Sequence, residues 1–226
     1  MEHPKRVSVI VPAYNAEPFV ADAVNSVLRQ SHPDLEVIVV NDGSTDGTAT
    51  ALSGFGEAIT VITQANHGQS HARNVGLRRA TGAFIGFLDA DDLWTESHLS
   101  TMLPHLLDGR YDFVRSCLQY VRHLGTPQEQ RTPKLHMESL VGACLYTRDI
   151  VDRAGPFDES MRQGEDCDWQ LRVVECGGRE KRLDSVALLY RRHDGNITNA
   201  RMQVQSGLFE TLRNRIHRQP NATPDG

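Results

Sequence analysis

The sequence lacks the features that mark membrane-spanning, secreted or nucleic-acid-binding proteins. No apolar run approaches the roughly 20 residues that a spanning helix needs. The polar start, residues 1–6, leads directly into a β-rich run, so no signal peptide is expected. Positive charge is not in excess, because 24 basic residues stand against 29 acidic ones, a formal net charge of -5. Nucleic-acid-binding proteins usually carry a basic surface, so no nucleic-acid partner is expected.

Cysteine is scarce and scattered, and the chain has no internal repeat. The four cysteines are Cys117, Cys144, Cys167 and Cys176, without the close paired spacing of a zinc site. They are expected to be reduced thiols of a cytoplasmic protein. The chain does have 226 residues, 39% hydrophobic and 23% charged, a balance typical of globular proteins. A single domain over residues 1–226 is therefore predicted.

Short β-rich runs alternate with helical stretches in the first half. The predicted strands cover residues 7–11, 37–40, 59–62 and 84–88, and the predicted helices cover 19–30, 45–52 and 70–80. These strands are continuously apolar, which suits strands covered on both faces. The pattern predicts an α/β fold with a mostly parallel central sheet flanked by helices. Later in the chain, 111–121 and 185–190 are predicted strands, and 125–134 is a predicted loop.

Polar and acidic residues gather where the predicted strands end, which is where ligands bind in open parallel sheets. The densest group is Asp89, Asp91 and Asp92, directly after a strand. Such crowding of carboxylates is costly unless a cation or solvent relieves it. A divalent ion prefers oxygen ligands and often joins carboxylates to substrate phosphates. The alternative is a solvated acidic turn before a helix that starts near Thr95.

Residues 41–48, N-D-G-S-T-D-G-T, follow the second predicted strand. Gly43 permits a tight turn, and Ser44 or Thr45 can cap the following helix. A turn and a cap explain most of this segment. They do not require Asp42 at a strand end beside a second acidic cluster.

Three further motifs carry polar groups. Residues 68–77, G-Q-S-H-A-R-N-V-G-L, open a helix, where free amides favour anions and Arg73 adds a directed donor. Residues 164–169, G-E-D-C-D-W, put acids at a helix start, which suits the helix dipole or a general base facing an acceptor. Residues 190–193, Y-R-R-H, follow a predicted strand, and their arginines suit phosphate.

These motifs, in this order, resemble glycosyltransferase family 2, which has the GT-A fold. V-S-V-I-V-P-A-Y-N, N-D-G-S-T-D-G-T, A-R-N-V-G-L and L-D-A-D-D match its early landmarks. G-P-F-D-E-S, G-E-D-C-D-W-Q-L-R and Y-R-R-H-D-G-N-I-T match its later ones. The resemblance runs from about residue 7 to about residue 198.

The resemblance implies an inverting transfer of a sugar from a nucleotide-diphosphate donor, usually a UDP-sugar, to a hydroxyl or amine. It implies donor-nucleotide contacts by Pro12, Ala13, Tyr14, Asp42, Arg73 and Asp89, a Mn²⁺ or Mg²⁺ ion held by Asp91 and His193, and a catalytic base at Asp166 with Glu165 beside it. Asp42 would accept from the nucleobase, with Arg73 flanking it, and Asp91 ends the D-x-D pattern.

The same resemblance divides the chain into a Rossmann-like nucleotide-sugar-binding half, about 7–110, an acceptor half, about 111–198, and a C-terminal helix, about 203–218. The apolar stripe of that helix, Leu208, Leu212 and Ile216, suits docking on the domain, a homodimer partner or the inner face of the membrane. The acceptor would be a glycan, a lipid-linked sugar or a small molecule. Surface-polysaccharide or glycoconjugate synthesis is the expected context.

Two alternative functions differ in what they require. A sugar-1-phosphate nucleotidylyltransferase needs a glycine-rich basic loop after the first strand, but that position reads P-A-Y-N-A-E. A non-catalytic nucleotide-sugar-binding protein would tolerate loss of Asp91 or Asp166, and both are present.

Overall fold

The computed structural model describes residues 5–137 and 140–193, together with Thr211 and Arg215. Its strands are β1 (Val7–Ala13), β2 (Leu35–Asp42), β3 (Thr60–Gln64), β4 (Phe84–Phe87), β5 (Leu93–Trp94), β6 (Phe113–Arg122), β7 (Gln130–Arg131), β8 (Cys144–Thr147) and β9 (Glu180–Arg191). Its α-helices are α1 (Val20–Leu28), α2 (Thr48–Ser53), α3 (Gln69–Arg79), α4 (His98–Met102), α5 (Pro104–Leu107), α6 (Arg148–Ala154) and α7 (Glu165–Glu175).

All these strands join one sheet, in the order β3-β2-β1-β4-β8-β6-β9-β5, with β7 paired to β6. The first four strands are parallel to one another. The second half is mixed, because β8 is antiparallel to β4 and to β6, whereas β6 and β9 are parallel. The α/β prediction is confirmed, and the parallel part of the sheet is the first half.

Helices cover both faces of the sheet, which is why its inner strands are continuously apolar. Val9 and Val11 of β1 belong to one core cluster with Val24 of α1, whereas Ile10 belongs to a second cluster on the other face. Gly76 of α3 lies directly against Ile10, and a β-carbon at that position would collide with the Ile10 side chain. Glycine therefore lets α3 lie close on β1.

Several predicted strand ends were wrong. The second strand, expected over residues 37–40, runs from Leu35 to Asp42, so Asp42 lies in the strand rather than after it. The first strand does not stop before Pro12, because Pro12 pairs with Val40 and β1 continues to Ala13. Beyond Ile10, β1 pairs only with β2, so proline lies where one side has no strand partner. The third strand begins at Thr60 rather than residue 59 and extends to residue 64.

The second predicted helix begins at Thr48, three residues later than expected. The Ser44 amide donates to Asn41 Oδ1 at 3.0 Å, and the Thr45 amide donates to Asn15 Oδ1 at 2.8 Å, so both residues stay in the turn. The side chain that accepts from the Thr48 amide is Asp46, at 3.0 Å, rather than Ser44 or Thr45.

The second half contains more regular structure than the sequence predicted. The expected loop 125–134 includes β7, and the expected strand 185–190 is the end of the longer β9. The short elements β8 and α6 of the second half were not predicted, nor were β5 and α5 before it, whereas the helix expected near Thr95 corresponds to α4, which begins at His98. The unpredicted elements are two to seven residues long, too short for a periodic pattern to emerge.

The expected C-terminal helix lies outside the described residues except for Thr211 and Arg215. The Thr211 hydroxyl donates to the Gly164 carbonyl at 3.3 Å, and the Arg215 guanidinium lies 3.4 Å from the Glu175 carboxylate. Both residues therefore contact the ends of α7. Within the part of the chain that the structure describes, no helix has the length and apolar character to cross a bilayer.

Candidate active site

The parallel strands β1, β2 and β4 end at one edge of the sheet and carry the predicted donor residues to it. Tyr14 follows β1 and its side chain is half exposed, whereas Pro12 and Ala13 are buried in the strand itself. Asp42 ends β2, and Asp89 follows β4 after one residue. This is the edge at which ligands of such sheets bind.

Asp42 is buried and both of its carboxylate oxygens accept hydrogen bonds. Oδ1 accepts from Gln64 Nε2 at 2.7 Å and from the His67 amide at 2.9 Å. Oδ2 accepts from the Gly68 amide at 2.8 Å. Asp42 therefore fixes the loop that leads into α3. An oxygen of a carboxylate has about two lone pairs, so Oδ2 keeps one for another donor.

Arg73 is the centre of the site, although only 1% of its side chain is exposed. Its Nη1 donates to Asp166 Oδ1 at 2.6 Å and to Glu165 Oε1 at 3.1 Å. Its Nη2 donates to Asp89 Oδ1 at 2.8 Å. Burial would lower the pKa of this guanidinium, but Asp166, Asp89 and Glu165 outweigh it and raise the pKa.

The position of Arg73 depends on how α3 lies on the sheet. The contact between Gly76 and Ile10 brings the first turns of α3 close to β1, and the Arg73 guanidinium lies 5.3 Å from the centre of the Phe157 ring. Among the described residues, no hydrogen bond joins Arg73 to Asp42. The arginine that the resemblance places beside the nucleobase is thus a counter-charge for three carboxylates.

Asp166 lies in the first turn of α7, after Gly164 in a left-handed conformation with φ of 76°. Besides its bond to Arg73, Asp166 accepts from the Val141 amide through Oδ2 at 3.2 Å. Burial raises the pKa of the Asp166 carboxyl to about 7, and Glu165 and Asp89 add to the shift although Arg73 opposes it. A carboxyl that titrates near neutral pH has the proton affinity of a general base.

Asp91 and His193 meet on the other side of Asp89. His193 Nε2 lies 3.1 Å from Asp91 Oδ2, and the His193 ring is 4.5 Å from the ring of Phe19. Burial raises the pKa of the Asp91 carboxyl, Asp89 adds to the increase, and His193 opposes it. A nearby cation would offset the electrostatic cost of ionising the buried Asp91 carboxyl.

The donor atoms at Asp91 and His193 suit a divalent ion that also binds substrate phosphates. Among the described residues, no three or more His, Cys, Asp or Glu side chains converge on a metal position. Mg²⁺ commonly takes one or two carboxylates from the protein and completes its shell with water and phosphate oxygens. The Asp91 carboxylate fits that pattern, and the His193 imidazole nitrogen would be an additional protein ligand beside it.

Asp92 has a structural role that its neighbours do not share. It is buried, and its Oδ1 accepts from the Arg191 amide at 2.8 Å. Burial raises the pKa of its carboxyl well above the usual range, with Asp91 and Asp89 adding to the shift. The bond to Arg191 fixes the end of β9 beside the acidic loop, which places His193 opposite Asp91.

Two residues of the site were missed in the sequence. Gln69 donates from Nε2 to Asp89 Oδ1 at 2.8 Å, and its place in the helix-opening motif was the available signal. Val141 contributes only a backbone amide to Asp166 and carries no signal in its side chain.

Comparison with known proteins identifies relatives across most of the chain. The model of the family described as "Glycosyl transferase family 2" matches residues 8–157. The putative teichuronic acid biosynthesis glycosyltransferase TuaG of Bacillus subtilis is 40% identical over 225 residues, covering 93% of this chain and 89% of TuaG. The uncharacterized glycosyltransferase EpsJ of the same organism is 33% identical over 215 residues, covering 85% of this chain and 62% of EpsJ.

Solved structures share the fold at lower identity. TarS residues 1–349 of S. aureus, in complex with UDP-GlcNAc, superpose with a TM-score of 0.76 at 24% identity, covering 92% of this chain and 64% of that chain. The mannosyltransferase PcManGT from Pyrobaculum calidifontis, in complex with GDP-Man and Mn²⁺, has a TM-score of 0.77 at 24% identity, covering 99% and 67%. At this identity the likeness shows the fold alone.

The chain is shorter than several of these relatives, spanning 62% of EpsJ and 33% of an uncharacterized glycosyltransferase of Rickettsia felis. The match to the family model also ends before α7 and β9, so Glu165, Asp166 and His193 lie beyond it. The family match therefore gives no support to roles for these three residues, whereas their contacts with Arg73 and Asp91 do.

Proposed function

The chain belongs to glycosyl transferase family 2, and we propose that it is an inverting, metal-dependent transferase that moves a sugar from a UDP-sugar to an acceptor hydroxyl or amine. The observation that carries the proposal is the Arg73 bridge. One guanidinium binds Asp89 on the donor edge and Asp166 on α7, residues 77 positions apart in sequence. The donor side and the proton-accepting side thus face one another across a single buried charge.

Asp166 is the proposed base. As the acceptor attacks the anomeric carbon, its hydroxyl or amine must lose a proton. Asp166 is held by Arg73 and by the Val141 amide, so its orientation is set before substrate binds. A single base on the side opposite the leaving group is what in-line attack with inversion requires. Glu165 shares the Arg73 contact and is the alternative base.

Asp91 and His193 are the proposed metal ligands on the donor side. A bound Mn²⁺ or Mg²⁺ ion would stabilise the negative charge of the departing nucleoside diphosphate. The carboxylate oxygen of Asp91 and the imidazole nitrogen of His193 lie 3.1 Å apart, close enough for both to bind one ion. Asp92 keeps His193 there by holding the Arg191 amide.

Uridine recognition is proposed for Asp42, with Pro12, Ala13 and Tyr14 along the nucleotide and Asp89 at the ribose. The remaining lone pair of Asp42 Oδ2 suits the N–H of a nucleobase. The exposed Tyr14 ring lies at the same edge. The structure of TarS holds UDP-GlcNAc and that of PcManGT holds GDP-Man, so the preference for uridine rests on Asp42.

The likeness to TuaG supports surface-polysaccharide synthesis as the context, with a glycan, lipid-linked or small-molecule acceptor. We infer a cytoplasmic location, in which residues 203–218 contact a second subunit or the inner face of the membrane. The non-catalytic alternative predicts nucleotide binding without turnover. The nucleotidylyltransferase alternative has no support from the family match.

A donor screen tests the proposal. The protein is incubated with UDP-, GDP- and dTDP-sugars, with Mn²⁺, Mg²⁺ or EDTA, and the released nucleoside diphosphate is measured. We expect slow release from a UDP-sugar, dependent on metal and faster with an acceptor. Binding of UDP without any release from any donor would favour the non-catalytic alternative. Release that is equal in EDTA would refute the metal role of Asp91 and His193.

A further inference from the structure

A second groove lies beside the proposed active site, at the end of β6. It has a volume of about 500 Å³ and is lined by Tyr120, Arg122, Arg131, Thr132, His136 and Arg192 among others. This size lies within the range of small-molecule sites, which is about 300–1,000 Å³. Among the described residues, none that lines it is an aspartate or glutamate.

The groove is positively charged on a protein whose formal net charge is -5. Arg131 is paired with Glu129 at 2.7 Å. Neither Arg122 nor Arg192 has an ion pair within the described residues, and both are exposed. Two guanidinium groups without a counter-charge, set in a concave surface, favour an anionic ligand.

Aromatic rings form the inner side of the groove. The Tyr120 ring has the Arg192 guanidinium 4.3 Å from its centre, and it meets the rings of His136 and Tyr190 at 4.7 Å and 5.3 Å. The Arg192 guanidinium lies over the face of the Tyr120 ring, and this contact holds its N–H donors at the groove. An apolar ring face beside directed donors is suited to a sugar ring that carries a charged group.

The groove and the metal-side histidine share one short stretch of chain. Along residues 191–193, Arg191 lies 4.8 Å from the Phe19 ring and His193 lies 4.5 Å from it, whereas Arg192 lies over Tyr120. Side chains in extended backbone alternate in direction. Because of this alternation, the His193 side chain lies on the donor side and the side chain of the preceding residue, Arg192, lies at the groove.

We propose that this groove binds an acidic sugar of the acceptor, one whose ring carries a carboxylate or phosphate, through Arg122 and Arg192 with the ring beside Tyr120. The proposal rests on the proposed function, because it names the substrate class of the acceptor side. In this proposal Arg192 binds the acceptor, whereas its neighbour His193 binds the metal on the donor side.

Titration with defined sugars tests this groove without the natural acceptor. The full chain is titrated by calorimetry or NMR with trigalacturonic acid, glucose 6-phosphate, maltotriose and inorganic phosphate. We expect one of the acidic sugars to bind more tightly than maltotriose and than phosphate, and more weakly at high salt. The carboxylate and phosphate arms identify which anionic group the groove prefers.

Variants locate the binding. We expect Arg122→Gln and Arg192→Gln each to weaken binding of the preferred acidic sugar by about tenfold, the loss of one charge-assisted contact. Arg110→Gln removes the same charge from an exposed arginine elsewhere, with 74% of its side chain exposed, and should have no effect.

Three results would overturn the proposal: equal binding of maltotriose, equal binding of inorganic phosphate, or binding that neither groove variant weakens. UDP binding, measured on the wild type and on Arg122→Gln, keeps the two proposals apart. If the wild type did not bind UDP, the donor assignment would be wrong. The groove proposal is tested by the acidic-sugar titrations alone.

Discussion

Two groups of carboxylates in this molecule look alike in sequence but differ in their counter-charges. Asp89, Asp91 and Asp92 follow a strand, whereas Glu165, Asp166 and Asp168 start a helix. Each group contains one buried acid with a structural partner: Asp92 accepts from the Arg191 amide, and Asp168 forms a 3.1 Å pair with Arg172. Each group also contains an acid that pairs with Arg73, Asp89 in the first group and Asp166 in the second.

The remaining acids show what separates the two groups. Glu165 and Asp166 both bind the permanent positive charge of Arg73. Asp91 lies beside the titratable ring of His193, and burial raises the pKa of its carboxyl. This difference supports the two proposed roles, an added cation at the strand-end group and proton transfer at the helix-start group. Four experiments can break or sharpen this difference.

The largest effect is expected for Asp166→Asn. The amide has nearly the same shape but cannot accept the proton of the acceptor, and general-base catalysis contributes about 10²–10⁴-fold. We expect the transfer rate to fall by that factor while UDP affinity, measured by calorimetry, stays within about twofold, because the change lies on the acceptor side.

Glu165→Gln and Asp168→Asn are the matched controls for that variant, since each also neutralises one acid of the first turn of α7. Melting curves on all three correct for loss of the helix-dipole interaction, about 0.3–1 kcal/mol. If Glu165→Gln were inactive and Asp166→Asn active, the base would be Glu165. If all three kept full transfer rates, the base would lie outside α7.

Arg73→Gln should destabilise the fold, because it leaves three carboxylates around a site that has lost its charge. Removing one partner of a buried ion pair typically costs about 3–5 kcal/mol of unfolding free energy. Denaturant titration measures this loss. The exposed variant Arg78→Gln lies on the same helix and should change the free energy of unfolding little. A loss below about 1 kcal/mol would mean that Arg73 is not the link between the two groups.

The rate of transfer should depend on pH through Asp166. Its carboxyl has a pKa of about 7, above the usual range, so it is protonated and inactive as a base at lower pH. Below that pKa, kcat/KM should fall by about tenfold per pH unit. UDP binding measured at each pH separates this change from effects on the donor. In Arg73→Gln the fall should begin at higher pH, because the charge that lowers the Asp166 pKa is gone.

The smallest effect is expected for Asp91→Asn, which removes one proposed metal ligand. We expect UDP affinity in Mn²⁺ to fall by about tenfold, about 1.4 kcal/mol, to the level that EDTA gives in the wild type. Asp92→Asn is the neighbouring control. It should lower the melting temperature while leaving UDP affinity close to that of the wild type. A metal-dependent affinity that survives in Asp91→Asn would contradict the assignment.

Much of the first half could be predicted from the sequence because its signals are local. Continuous runs of valine and isoleucine predicted β1 and β2, and apolar spacing predicted α1 to within two residues. The strand-end rule then placed Asp42 and Asp89 at one edge without knowledge of any contact. In the second half, short elements such as β8 and α6 depend on neighbours for their stability, so their own residues carry little pattern.

The chemistry of the candidate residues was predicted by type, but their partners were not. The sequence by itself determined the α/β class and the order of the parallel strands along the chain. It also determined which acids stand at the ends of strands and helices. These features depend on the spacing of apolar and polar residues within short segments, which can be read locally. Only the tertiary structure decided that Arg73 binds Asp166, 93 positions away, and that Asp92 holds Arg191, 99 positions away. Those contacts arise where α3 lies against β1 and where β9 returns to the acidic loop, and no local propensity encodes the distance between such elements.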